Sequence, residues 1–171
     1  MKKTAVSLLF AGLLALPGIA GAIPPTTIIA FRTMYGVDGP FLGGANAIRG
    51  IAGDDLPWES PHVTGSLTTK GHLKIEVQGL VFKDAPGVPA DKVGINDEPD
   101  FHGVVSCLTE DEENNATPTQ NVVTDPFFAS RSGDSSIETD VELPNPCVAP
   151  VIFVTGDDPT KWFAVTGFEA E

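Results

Sequence analysis

Ser66-Leu-Thr-Thr-Lys-Gly-His-Leu-Lys-Ile-Glu-Val-Gln78 is the stretch that decides the fold class. In its second arm Leu73, Ile75 and Val77 alternate with His72, Lys74, Glu76 and Gln78. A period of two puts one side of a strand in a core and the other in water. Lys70-Gly71 supplies a turn and Ser66–Lys70 alternates ahead of it, so the segment reads as an antiparallel hairpin. Leu80-Val81-Phe82 then leads into a long loop.

The same signal recurs on both sides. Upstream, Thr26 to Tyr35 is β-branched and aromatic and stops at Gly36. Downstream, short strands are expected at Val104–Leu108, Asn121–Thr124, Ser136–Leu143, Ala149–Val154 and Lys161–Thr166. In the 136–143 segment Ile137, Thr139, Val141 and Leu143 share one face, and Glu138, Asp140 and Glu142 the other. No window of 11 or more residues keeps apolar positions at three- and four-residue spacing without Gly or Pro cutting it, and one short helical turn is expected near Phe41–Ile48. About eight short strands separated by Gly, Pro and Asp turns predict an all-β chain. An antiparallel β-sandwich is the first expectation and a β-barrel the alternative.

Three stretches read as loops: Asp84–Gly103, Thr109–Gln120 with its Glu110-Asp-Glu-Glu113 run, and Asp125–Ser135. Gly53-Asp54-Asp55-Leu56-Pro57-Trp58 echoes Gly156-Asp157-Asp158-Pro159-Thr160-Lys161-Trp162. The expectation is two turns that each present a buried tryptophan, not a repeated unit.

The start of the chain has the order of a secretory leader. Lys2 and Lys3 precede an apolar stretch from Val6 to Leu16, then Pro17-Gly18, then Ala20-Gly21-Ala22. The apolar run is too short to span a bilayer, which takes roughly 20 residues. Residues 1–22 are expected to be a signal peptide cut after Ala22, and 23–171 a single domain. Removing 22 of the 171 residues leaves 149, and losing two lysines takes the formal charge from −13 to −15. So acidic a surface repels phosphate backbones and anionic headgroups, and argues against nucleic-acid and membrane partners. The expected partner is an extracellular or periplasmic ligand of unknown identity.

Cys107 and Cys147 are the only cysteines, and both lie beyond the leader. In an oxidising compartment a minimal even count reads as one disulfide. Closing a loop of this length is worth roughly 4 kcal/mol in the chain-entropy model.

The segment Val63 to Leu80, with its Gly-led strand, turn and alternating strand ending in Gly79-Leu80, resembles the hairpin core of chordin-type (CHRD) domains. The histidine-rich segment that follows Gly-Leu in that family is missing here. Val105-Ser-Cys-Leu108, Leu143-Pro-Asn-Pro-Cys-Val-Ala-Pro150 and Trp162-Phe-Ala-Val-Thr-Gly167 are similar to uncharacterised secreted bacterial β-sandwich proteins. That likeness implies an exported location and a disulfide, and no activity.

Motifs for chemistry are sparse. There is no Gly-x-Ser-x-Gly elbow, phosphate-binding Gly-x-x-x-x-Gly-Lys or His-Glu-x-x-His. Gly133-Asp134-Ser135 reads as a turn before a strand. Of the three histidines, His62 and His72 read as structural or surface groups. Asp97-Glu98-Pro99-Asp100-Phe101-His102 places three carboxylates beside an imidazole, so Asp97, Glu98, Asp100 and His102 are the candidate metal ligands. Calcium is the candidate ion, taken there or by Glu110–Glu113 with Asn114 and Asn115, although neither loop has the Asp-x-Asp-x-Asp-Gly spacing. Asn115-Ala116-Thr117 fits a glycosylation sequon. No catalytic residue or cofactor follows from the sequence. The chain therefore reads as an exported, non-enzymatic binding or structural module. The alternatives are a secreted hydrolase using loop carboxylates and a calcium-dependent adhesion or matrix protein.

Overall fold

The computed structural model describes residues 24–60, 62–111, 113 and 116–168. The expected leader, its cut after Ala22 and the asparagine of the sequon lie outside them. Among the described residues two antiparallel sheets face each other and no barrel closes. The first sheet runs β1 (Thr27–Phe31), β5 (His62–Thr68), β6 (His72–Gln78), β11 (Ser135–Asp140). The second is built on β8 (Asp100–Leu108), which carries β9 (Thr119–Val123) and β10 (Phe127–Phe128) on one side. On its other side follow β12 (Val148–Thr155), β13 (Lys161–Thr166) and β2 (Met34–Gly36). A short β3 (Ala52–Gly53) joins β13 in parallel, and β4 (Trp58–Glu59) pairs with β7 (Val81–Phe82).

The hairpin that decided the fold class is β5–β6, with Leu67 opposite Leu73 and Val63 opposite Val77. Leu67, Leu73, Ile75 and Ile137 are fully buried from the first sheet, as are Phe101, Val105, Ile152 and Val154 from the second. Each such side chain contributes roughly 1.5–3 kcal/mol by leaving water. Gly103 lets the layers close, because a Cβ there would meet Leu73 and Ile75 at 3.1 Å.

Among the described residues thirteen strands form where about eight are expected. The additional ones span only two or three residues, too few for a periodic signal. The expected single strand at 26–35 is two strands in different sheets, since the chain crosses between layers at Arg32-Thr33. The expected loops at 84–103, 109–120 and 125–135 each give residues to the second sheet: Asp100–Gly103, Thr119–Gln120 and Phe127–Phe128. In place of a helical turn at 41–48 there is a 3-10 turn at Gly39–Phe41, capped by the Asp38 carboxylate on the Gly39 N–H at 2.7 Å.

A second pattern marks the second sheet. Gly103–Cys107 and Trp162–Val165 are buried at every position instead of at every other one. Phe41 packs on Trp162 with ring centroids 6.2 Å apart, and on Tyr35 at 5.8 Å, so the 3-10 turn covers the far face of β13. Strands covered on both faces read as continuous apolar runs. Cys107 is bonded to Cys147 with Cα atoms 5.0 Å apart, tying β8 to the segment that enters β12.

The two echoing turns lie against each other. Gly53 sits opposite Trp162, Ala52 N–H donates to the Thr160 carbonyl at 3.0 Å, and Asp54 N–H to the Trp162 carbonyl at 3.1 Å. Their tryptophans are both buried, yet in different layers. Trp58 stacks on Phe163 at 4.1 Å and 12°, whereas Trp162 meets Phe41 and Phe153. These are interlocking turns and not copies of one unit.

Candidate functional site

The segment from Asp97 to His102 is shaped by Asn96, which is only 2% exposed. Its Nδ2 donates to the carbonyls of Glu98 (2.7 Å) and Ser130 (2.9 Å), and its Oδ1 accepts from the Glu98 N–H at 3.0 Å. A short polar side chain that satisfies both ends of a turn fixes it. Asp97 then reaches Lys92 at 2.7 Å. The Glu98 carboxylate accepts from the Asp157 N–H at 3.3 Å and lies over Gly156. A Cβ at Gly156 would sit 2.7 Å from that carboxylate and 2.8 Å from the Phe163 ring, so glycine makes the contact available.

Asp100 and His102 go elsewhere. Both are on β8, opposite Phe128 and Thr155 respectively. His102 Nδ1 lies 2.9 Å from the Thr124 carbonyl oxygen, which can only accept, so Nδ1 carries the proton. The four candidate ligands therefore do not converge. Among the described residues no three His, Cys, Asp or Glu side chains are grouped so as to hold a metal ion. Of the second calcium candidate, Glu112, Asn114 and Asn115 lie outside the described residues.

What does converge is carboxylate charge from three turns. Burial pushes the Glu98 carboxyl above its ordinary range, and the neighbouring charges of Asp157, Asp97 and Asp54 push the same way. The Asp157 N–H opposes them. Asp54 is fixed by the Trp58 indole, which donates to it at 2.8 Å. Asp55 pairs with Lys161 at 2.5 Å, raising that ammonium, and Asp97 raises Lys92 through their hydrogen bond. Lys92 also stands 5.1 Å over the Phe82 ring. The Thr160 hydroxyl donates to Asp158 at 2.6 Å and holds it below the usual carboxylate range. Two lysines thus offset part of a six-carboxylate group, in which Glu98 has a raised proton affinity, first through burial and then through its charged neighbours.

A cleft of about 320 Å³ runs between β2 and β4, with Met34 and Trp58 in its lining and Asp38, Glu59 and Lys83 among its charged groups. Asp38 and Lys83 form an ion pair, and the Lys83 hydrogen bond holds the Asp38 carboxyl low. Sequence reasoning missed these residues. Asp38 and Lys83 lie 45 positions apart, and no spacing rule links them.

The remaining motifs are structural. His72 contacts Asp140 at 2.9 Å and Glu138 at 3.4 Å in a ladder of charges across β6 and β11. Asp134 accepts from the Gly79 N–H at 3.0 Å and the Ser132 hydroxyl at 2.6 Å, so Gly133-Asp134-Ser135 is the expected turn. No family model matches the sequence, and no curated protein or solved structure matches it.

Proposed function

We propose that the mature chain is an exported, non-catalytic β-sandwich that binds a partner and does not transform it. One observation carries this reading: the groups with chemical promise are already held in structural contacts. His102 is bonded to Thr124, His72 to Asp140, Asp97 to Lys92 and Asp38 to Lys83. The disulfide between Cys107 and Cys147 and the leader-like first 22 residues support the exported location. Two measurements test it. N-terminal sequencing of protein from the cell exterior should begin at Ile23. Incubation with chromogenic esters and glycosides, from acid to neutral pH, should give no turnover above a Glu98→Gln control.

Glu98 favours a second reading, a hydrolase. A carboxyl of raised proton affinity beside the Asp157 and Asp97 charges resembles a general acid beside ionised neighbours. The Glu98 carboxylate is itself held by the Asp157 N–H over Gly156, in keeping with the structural contacts that favour the binding reading. Turnover that falls at least 100-fold in Glu98→Gln, the size of a general-acid contribution, would reverse the order. A calcium-dependent role predicts stabilisation by added calcium, about 2.7 kcal/mol at 100 times the dissociation constant.

A further inference from the structure

β9 is an outer strand of the second sheet, paired on one side only, with β8. Thr124 N–H donates to the Gly103 carbonyl and Thr109 N–H to the Pro118 carbonyl, each at 3.0 Å. The β8–β9 register runs through Val105 opposite Val122 and Cys107 opposite Gln120. Hydrogen-bonded and non-bonded pairs alternate in an antiparallel ladder. The backbone groups of Gln120 and Val122 therefore point to β8. Those of Thr119, Asn121 and Val123 point away from the sheet, and no intrachain bond takes them among the described residues. The strand is exposed at four of its five positions, with Val123 at 42%.

Exposed edges are normally blunted by charge, proline or a bulge. Among the outer strands of the first sheet, β1 has a bulge between Thr27 and Ile29 and β11 carries Glu138 and Asp140. β9 is flanked by Pro118 and Pro126, but Thr119-Gln-Asn-Val-Val123 itself carries no charge, proline or bulge. A groove of about 500 Å³ lies beside it, lined by Gln120–Val123 and by Glu142, Leu143 and Pro144 from the segment after β11. The surroundings are acidic. Glu142 is in the groove wall, exposed Asp125 follows the strand, and exposed Glu110 and Glu113 are on the hairpin loop that enters it. Arg49, whose carbonyl holds the Asn121 side chain at 3.2 Å, turns its guanidinium to the Ala149 carbonyl.

We propose that β9 accepts an extended segment of a partner protein as an added strand, uncharged and β-branched where it pairs, with lysine or arginine at its flanks. Main-chain bonds from Thr119, Asn121 and Val123 supply affinity, and alternate side chains enter the groove against Leu143 and Pro144. A second copy of this chain is the wrong occupant, because it would bring two sets of Glu142 and Asp125 together. This inference gives the binding reading a face and rests on it only to that extent. Failure here leaves the turnover assays untouched.

The experiment uses the disulfide-bonded mature protein and a synthetic peptide of alternating threonine and valine between lysine pairs. Amide exchange of Thr119, Asn121 and Val123 should slow about tenfold or more on adding peptide, while Gln120 and Val122 change little. Val123→Pro removes one outward donor and no bond to β8, and should weaken binding at least about tenfold at unchanged melting temperature. A peptide N-methylated at the residues facing β9 should bind as poorly, without any change in the protein. Glu142→Lys should shift preference to a glutamate-flanked peptide. Absence of slowing at those three amides, or equal binding of the methylated peptide, overturns the proposal. Slowing that appears without peptide and grows with protein concentration overturns the choice of occupant in favour of a second copy.

Discussion

Replacing Cys107 and Cys147 together by alanine tests what holds the two ends of the second sheet in place. The bond spans 40 residues, and opening a loop of that size costs about 4 kcal/mol in the chain-entropy model. Cys107 has no exposed surface and sits in the core cluster, so alanine there leaves a small void worth about a further 1 kcal/mol. Cys147 is only partly buried and adds little. For a domain of this size each kcal/mol moves the melting midpoint by about 2–4 °C, so a total near 5 kcal/mol predicts a fall of roughly 10–20 °C. Circular dichroism melts of oxidised parent, both single variants and the double variant measure it. The single variants lose the same cross-link, so each should lie within about 1 kcal/mol of the double. A double variant melting within about 3 °C of the parent would refute the reasoning. So would thiols of exported protein that react with an alkylating agent without reduction.

Glu98→Gln should stabilise the neutral protein by about 0.5 kcal/mol, the scale of a partly solvent-screened charge, because burial of the ionised carboxylate and the charges of Asp157, Asp97 and Asp54 all disfavour it. The folded state holds this proton to higher pH than the unfolded chain. The contribution is therefore full below the ordinary carboxylate range and is lost as pH rises through the raised value, so melts of the variant should show a flatter slope from mild acid to neutral. Asp134→Ala should cost about 1 kcal/mol in a urea titration by unpairing the Gly79 N–H and the Ser132 hydroxyl. That carboxyl is held low, first by the Ser132 hydroxyl, so its stabilisation is present above the ordinary carboxylate range and lost as pH falls through the lowered value. Gly71→Ala should cost at least about 2 kcal/mol in the same titration. Gly71 has φ of +83°, and a Cβ there would overlap the Val141 carbonyl oxygen.

The sheets were legible wherever one face meets water. The alternation of Leu73, Ile75 and Val77 became three buried side chains on β6, and Ile137 took the same role on β11. The Cys107–Cys147 pairing needed only an even count and a compartment. Legibility failed at β2, β3, β4, β7 and β10, where two or three residues are held by their neighbours and not by their own pattern. It failed again at Arg32-Thr33, because a strand that changes sheets keeps its composition on both sides of the crossing. The candidate ligands do not converge: Asp97 and Glu98 share a turn, whereas Asp100 and His102, expected in the same loop, belong to β8.

Glu98 shows why the rest of the acidic group was out of reach. Its neighbours Asp54 and Asp157 stand 44 residues before it and 59 after it, each in a turn that alone reads as solvated charge. They meet because β3 runs parallel beside β13, which brings the first Gly-Asp-Asp turn to the start of β13, and because Asn96 ties the Glu98 turn to the Ser130 loop. The free edge of β9 has the same origin: nothing in Thr119-Gln-Asn-Val-Val123 distinguishes an inner strand from an outer one until the order of the sheet is known. Sheet order is set by pairings between residues tens of positions apart, and a single sequence carries almost no local trace of those pairings. Both features a partner would meet, clustered charge and unpaired backbone, therefore belong to topology and not to motif.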